Sequence, residues 1–165
     1  MIFYAPAISE SPFLSEEESS HAVRVLRLDV GDRIELVDGI GNFYEAEIVF
    51  PHHKKCEVRI LNKYENFNTF PYHLHIAIAP TKNMDRLEWF VEKATEIGIS
   101  EITPLLCRYS ERKVVKLERI NKIIVSAMKQ SKKSLLPQLN EMISFNDFIK
   151  KCEGHDNCFI AHCYN

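Results

Sequence analysis

Nine basic side chains fall between Arg108 and Lys133, against two acids, Glu111 and Glu118, a local net charge of +7. Lysine and arginine at that density suit the capture of a polyanion, whose phosphate oxygens accept their hydrogen bonds. A solvated face is the ordinary alternative. A second basic group lies at His21, Arg24 and Arg27. His21 and Arg24 stand three apart, so on a helix they share a face on which Arg24 can meet a phosphate. His21 can equally well cap or pack.

Other chemistries find little footing. No GxGxxG and no GxxxxGK[ST] is present, so a dinucleotide or P-loop phosphate site is unsupported. Cys158, Cys163, His155 and His162 lie close together but match no zinc spacing, and Cys158–Ala161 reads as a buried strand. No metal is expected. Cys107 has no activating context for thiol catalysis. His52 and His53 fall in a turn, where surface histidines are the plain explanation. No pair of carboxylates stands out for hydrolysis.

The elements that must position the basic residues are legible in outline. Leu74–Ala79 alternates as a strand, with Leu74, Ile76 and Ile78 on one face and His75, Ala77 and Ala79 on the other. Asn83–Ile97 has the spacing of a helix through Met84, Leu87, Val91 and Ala94, and Gly98 fits the position after it. Glu101–Leu106 is a second strand, Leu117–Lys133 a second helix, and Cys158–Cys163 a third strand. Strand and helix alternating at these lengths predict a mostly parallel α/β sheet with crossover helices. On the second helix Ile120, Ile123, Ile124 and Ala127 form one side. Arg119, Lys122, Lys129 and Lys133 gather within about 80° on another, beside Ser126 and Gln130.

The first 70 residues are organised differently. Arg33–Asp38, Phe43–Val49 and Cys56–Leu61 are short strands on tight turns, Gly39–Asn42 and Pro51–Lys55, which predicts a small β-barrel or meander. Ser15 with Glu18 has the capping-box spacing, and a short helix through His21–Leu26 would turn Ala22, Val25 and Leu26 to the barrel. Polar Glu65–Pro71 reads as a linker, so the predicted units are 1–70 and 72–165.

Composition sets the bounds. The chain has 165 residues, 45% apolar and 27% charged, enough for a core in a globular protein. Its net charge of −2 hides a division. Residues 1–70 carry 7 Lys/Arg against 12 Asp/Glu, and the remainder 14 against 11. No apolar run approaches a membrane span, the N-terminus lacks the pattern of a signal peptide, and five irregularly spaced cysteines argue against a disulfide scaffold. A cytoplasmic, reduced protein without a membrane association is expected.

Three stretches together resemble a known family. They are HAVRVLRLDVGD (His21–Asp32), KNMDRLEWFVEKATEIGISEITPLLCRYSERKVVK (Lys82–Lys116) and AMKQSKKSLLPQL (Ala127–Leu139). In order and spacing they are similar to the motifs of the RsmE family of 16S ribosomal RNA uridine-N3 methyltransferases, and the likeness extends to Asn165.

The resemblance implies a PUA-like β-barrel for RNA recognition over 1–70. It implies the first part of a SPOUT α/β methyltransferase domain over 72–165, with S-adenosylmethionine as methyl donor. It also implies a homodimer, with 16S ribosomal RNA in the small subunit or its late precursor as substrate. His21, Arg24 and Arg27 match the family's RNA-facing motif, and Arg108, Ser110 and Arg112 its basic loop. Gln130 and Lys133 match the stretch EQSxR, with lysine for arginine at Lys133 and with Lys129 where glutamate is common. Lysine lacks the bidentate fork of arginine, so the contact at Lys133 must differ. The family's GPEGG loop and the segment after it find no match before Asn165. The expectation is therefore a knot-forming part and main cofactor loops beyond this chain, no catalytic or cofactor residue that can be named within it, and no activity of this stretch alone.

Two other readings stay open. One is a non-catalytic RNA-binding protein, the other a structural or dimerisation module whose basic face meets an acidic protein. Charge reversal at Lys122 and Lys129 is expected to weaken RNA binding under the first two readings. A steep fall of affinity with salt would separate both from the last.

Overall fold

The computed structural model describes residues 1–154 and 157–161. Two sheets organise the chain. The first has the order β1 (Ile2–Tyr4), β2 (Arg33–Val37), β3 (Phe43–Phe50) and β4 (Glu57–Tyr64). β2, β3 and β4 are antiparallel neighbours, as their alternating residues and tight turns predict. β1 runs parallel to β2 and was not anticipated, because three residues ahead of Pro6 show no period. Phe13 bridges Glu57 and extends the sheet beyond β4. Inside lie Phe3, Leu36, Ile48, Val58 and Ala22.

Ser15 caps α1 (Glu16–Ser20), its Oγ accepting the Glu18 backbone N–H at 3.2 Å. The chain then widens into a π turn, His21–Val25, closed by Leu26 N–H donating to the His21 carbonyl at 3.0 Å. The wider turn changes which side chains face inward. Ala22 is buried and Val23 and Leu26 pack on the core, but Val25, expected there, is 65% exposed.

The second sheet is parallel: β5 (His75–Ile78) beside β6 (Glu101–Leu106), with two short strands, β7 (Gln138–Leu139) and β8 (Ile143–Ser144), along the far side of β6. α2 (Met84–Ile97) and α3 (Leu117–Gln130) cover one face through Leu87, Val91, Ile120 and Ile124. α4 (Phe145–Cys152) brings Phe148 against the His75 ring, on the opposite face of β5. α2 starts at the Asn83 cap and stops at Gly98, whose φ is +112°. The Phe70 ring lies on that glycine, so a Cβ there would collide with it.

The third strand expected at Cys158–Cys163 is corrected. Residues 158–161 carry no strand, and Phe159 is 92% exposed. His162 and Cys163 lie outside the described residues, as does His155. Gln138–Leu139 takes the place beside β6 instead, and two residues are too short to show alternation. α3 also ends three residues before Lys133. Lys132 turns to φ +54°, and Lys133 N–H donates to the Met128 carbonyl at 3.0 Å, a left-handed C-terminal cap.

The sheets meet along a seam. Met128 of α3 is buried among Ile2, Val37 and Phe43. Gly41 N–H donates to the Ser134 carbonyl, and Leu136 N–H to the Gly39 carbonyl, at 3.0 and 2.8 Å. The polar stretch between the sheets is held as well. Phe67 stacks on Phe43, and Asn68 Nδ2 donates to the Lys132 carbonyl. No helix among the described residues is long and apolar enough to cross a membrane.

Candidate nucleic-acid interface

The first basic group sits on the π turn. His21 is half-buried, its ring edge-on to Phe3 at 6.0 Å. Arg24 is exposed. Arg27 is exposed and lies in the left-handed region, φ +57°, just past the turn, where Leu28 N–H reaches back to the Ala22 carbonyl at 3.0 Å. Glycine is the usual occupant of such a position. An arginine there puts a long cation at a sharp corner of the backbone.

The second group is the loop from β6 into α3. Ser110 Oγ accepts the Cys107 N–H at 3.0 Å, folding the loop back on itself. Arg112 Nη2 donates to the Lys82 carbonyl at 3.0 Å, tying the loop to the segment before α2. Lys82 pairs with Glu111 at 3.2 Å. Arg108 stands 5.3 Å above the Tyr109 ring, itself 85% exposed. Lys82, Glu111, Arg112, Lys113 and Val114 line an open hollow here.

The basic face expected on α3 is less uniform than its wheel. Arg119 is engaged by Glu88, with Nε 2.6 Å from Oε1 and Nη2 donating to Oε2 at 2.8 Å. Lys129 turns away from solvent to Glu18 of α1, Nζ to Oε1 at 2.6 Å. Lys133 is past the helix end and half-buried, its Nζ 4.5 Å above the Phe70 ring, and burial lowers its pKa. Lys122 and Gln130 remain exposed. Lys122 shares a second open hollow with Lys116, Arg119 and Ser126. The wheel carried the helix three residues too far, to Lys133, and spacing could not show that Glu88 and Glu18 wait opposite Arg119 and Lys129.

Among the described residues no group of three His, Cys, Asp or Glu side chains could hold a metal ion. Both hollows are open and lined mainly by charged side chains. Neither offers an enclosed apolar slot for a purine ring, so they do not fit an adenosyl cofactor.

Comparison with known families decides the class. An RNA methyltransferase domain model matches residues 68–164, and an RNA methyltransferase PUA domain model matches residues 14–61. The chain belongs to this RNA methyltransferase family. Its relatives include the ribosomal RNA small subunit methyltransferase E of Rickettsia conorii, 30% identical over 84% of this chain and 56% of the relative. That of Bacillus subtilis is 28% identical over 94% and 63%. Among solved structures, a probable rRNA-methyltransferase from Porphyromonas gingivalis is 40% identical at a TM-score of 0.82, covering 90% of this chain and 62% of that one. A Legionella pneumophila methyltransferase solved with bound S-adenosylmethionine is 27% identical at 0.82, covering 93% and 67%. The chain spans about six-tenths of the length of the curated relatives it matches. The PUA domain followed by a mostly parallel sheet is the architecture expected of this RNA methyltransferase family.

Proposed function

We propose that the full-length protein transfers the methyl group of S-adenosylmethionine to N3 of a uridine in 16S ribosomal RNA, in the small subunit or its late precursor. It works as a homodimer in the cytoplasm. Residues 1–70 recognise RNA, and residues 72–165 belong to the catalytic domain. Membership of the RNA methyltransferase family over residues 68–164 carries the reading, and relatives named as small-subunit methyltransferases support the substrate.

In this reading the residues of the chain hold RNA. Arg24, Arg27, Arg108, Arg112 and Lys122 contact phosphate oxygens, with His21 and Gln130 beside them. Ser110 shapes the basic loop through its bond to Cys107. Lys129 and Lys133 act through Glu18 and Phe70, which they already engage. S-adenosylmethionine, when bound, supplies the methyl group. Uridine N3 carries a proton at neutral pH, which must leave before the nitrogen can attack, and the base must leave its stack to be reached.

The test supplies the full-length protein and its methyl donor to small subunits from cells lacking the gene. A methyl on N3 blocks the pairing edge of the base, so reverse transcription stops beside it. One donor-dependent stop at a single uridine, with 3-methyluridine in the digest, is expected. RNA binding with no methyl product would sink the methyltransferase reading in favour of a binding protein.

A further inference from the structure

His52 and His53, plain turn residues in the sequence, belong to a ladder of rings on the outside of the first sheet. Phe50 and His52 are parallel within 5°, with centroids 6.0 Å apart, and His52 and His53 follow at 4.7 Å. Phe50 is 57% exposed. Its position is set by a register shift: Ile48 pairs with Val58, but Phe50 pairs with Glu57, so Val49 is an extra residue. Regular alternation would send Phe50 inward with Ala46 and Ile48. The bulge turns it outward, as bulges do where a side chain is re-aimed. The turn is braced by His52 N–H to the Phe50 carbonyl and Lys55 N–H to the His52 carbonyl, both at 3.0 Å.

The charge around the ladder is mainly positive. Lys54 lies in the turn itself, its backbone N–H donating to His52 Nδ1 at 3.4 Å. Partial desolvation, then the charges of Arg24, His52 and Lys54, lower the His53 pKa, while Glu16 opposes them. Lys55 sits 4.1 Å above the Phe13 ring. Glu16 and Glu57 are the acids nearby.

We propose that Phe50, His52 and His53 form a stacking platform for an unpaired RNA base, with Arg24 and Lys54 holding the adjoining phosphates. The inference rests on the reading that the protein acts on RNA, and it adds a contact for single strands on the first domain. Exposed rings flanked by cations are the general means of holding unpaired bases, whose faces stack regardless of sequence.

The test compares the affinity of the chain for a short single-stranded RNA, a duplex of the same sequence, and inorganic polyphosphate. Phe50→Ser combined with His52→Ser should weaken single-strand binding about tenfold. Duplex and polyphosphate affinities should change less than about twofold, and the salt slope should stay the same, since no phosphate contact is removed. Phe50→Tyr should keep wild-type affinity. An unchanged single-strand affinity in the double variant, with wild-type RNA binding intact, overturns the platform alone. Equal loss of polyphosphate binding also overturns it, pointing to a general anion or acidic-protein surface. No RNA binding by the wild-type chain overturns the platform and the RNA reading together.

Discussion

Lys129 Nζ lies 2.6 Å from Glu18 Oε1, and the pair joins the last turn of α3 to α1 across the seam between the two sheets. Glu18 is buried, Tyr4 N–H also donates to its Oε1 at 3.2 Å, and its Oε2 finds no partner among the described residues. A lysine that belongs by spacing to an outward basic face is thus used to neutralise a carboxylate inside.

Removing that lysine strands the charge. Lys129→Met should destabilise the fold by roughly 3 kcal/mol, and adding Glu18→Gln should restore much of the loss. Denaturant unfolding of the two single variants and the double variant measures both. Below the melting range, Lys129→Met should bind RNA with the wild-type salt slope. Lys122→Met, at an exposed site, should reduce the slope by about one. A reduced slope for Lys129→Met would return Lys129 to the RNA surface.

Arg27 holds φ +57° without being a glycine. A left-handed arginine costs about 1 kcal/mol, and glycine is favoured at such a position. Arg27→Gly should therefore leave stability unchanged or raise it by about 0.5 kcal/mol. The same change should weaken RNA binding several-fold if the side chain meets a phosphate. A thermal melt paired with a binding titration reads both. Lower stability with unchanged affinity would mean that Arg27 is kept for packing.

Asp38 organises the β2–β3 turn. It accepts from the Ile40 and Asn42 backbone N–H groups, from Asn42 Nδ2 at 2.6 Å and from the Tyr44 hydroxyl at 3.0 Å. Asp38→Ala should cost about 3 kcal/mol and Tyr44→Phe about 1 kcal/mol. Burial, then the Asp38 hydrogen bond, pushes the Tyr44 phenol up to about 12. The unfolded phenol ionises near 10, so this stabilisation is full below pH 10 and is lost as pH rises through about 12. Melting curves from pH 9 to 12 should fall more steeply for the wild type than for Tyr44→Phe.

His75 gives the opposite dependence. Its Nε2 is 2.7 Å from Thr103 Oγ1, and burial lowers its pKa despite the attraction of Glu101, with His73 adding repulsion. The neutral ring suits the fold, so stability is greatest above the unfolded value of about 6.5 and declines as pH falls through the folded one. Between pH 7 and 5 the wild type should lose more thermal stability than His75→Gln. Equal losses would place the acid-sensitive group elsewhere.

The parts of the fold readable in the sequence are those with length and period. α2 showed its inward stripe at Met84, Leu87, Val91 and Ala94 and its stop at Gly98, while the cap at Asn83 came from the structure. The Ser15 cap was visible because three-residue spacing defines it. β1, β7 and β8 are two or three residues long and carry no period at all. The π turn defeated the prediction for Val25, because a helix wheel assumes a constant twist. The ring ladder was hidden for a related reason, since a bulge at Val49 leaves no mark on composition. For the candidate interface, residue types identified the cations, but the partners of Arg119 and Lys129 come from elements distant in sequence.

The backbone bonds from Gly39 and Gly41 to Leu136 and Ser134, with Met128 seated beneath, give the molecule the character of a caliper rather than a hook on a string. In the proposed RNA-binding reading, this seam, and not only the chain between the sheets, limits how far the corner at Arg27 and the loop at Arg112 can part. An RNA that touches both must present phosphates within that limit. Selection can then act on the three-dimensional outline of a folded RNA before any base is inspected.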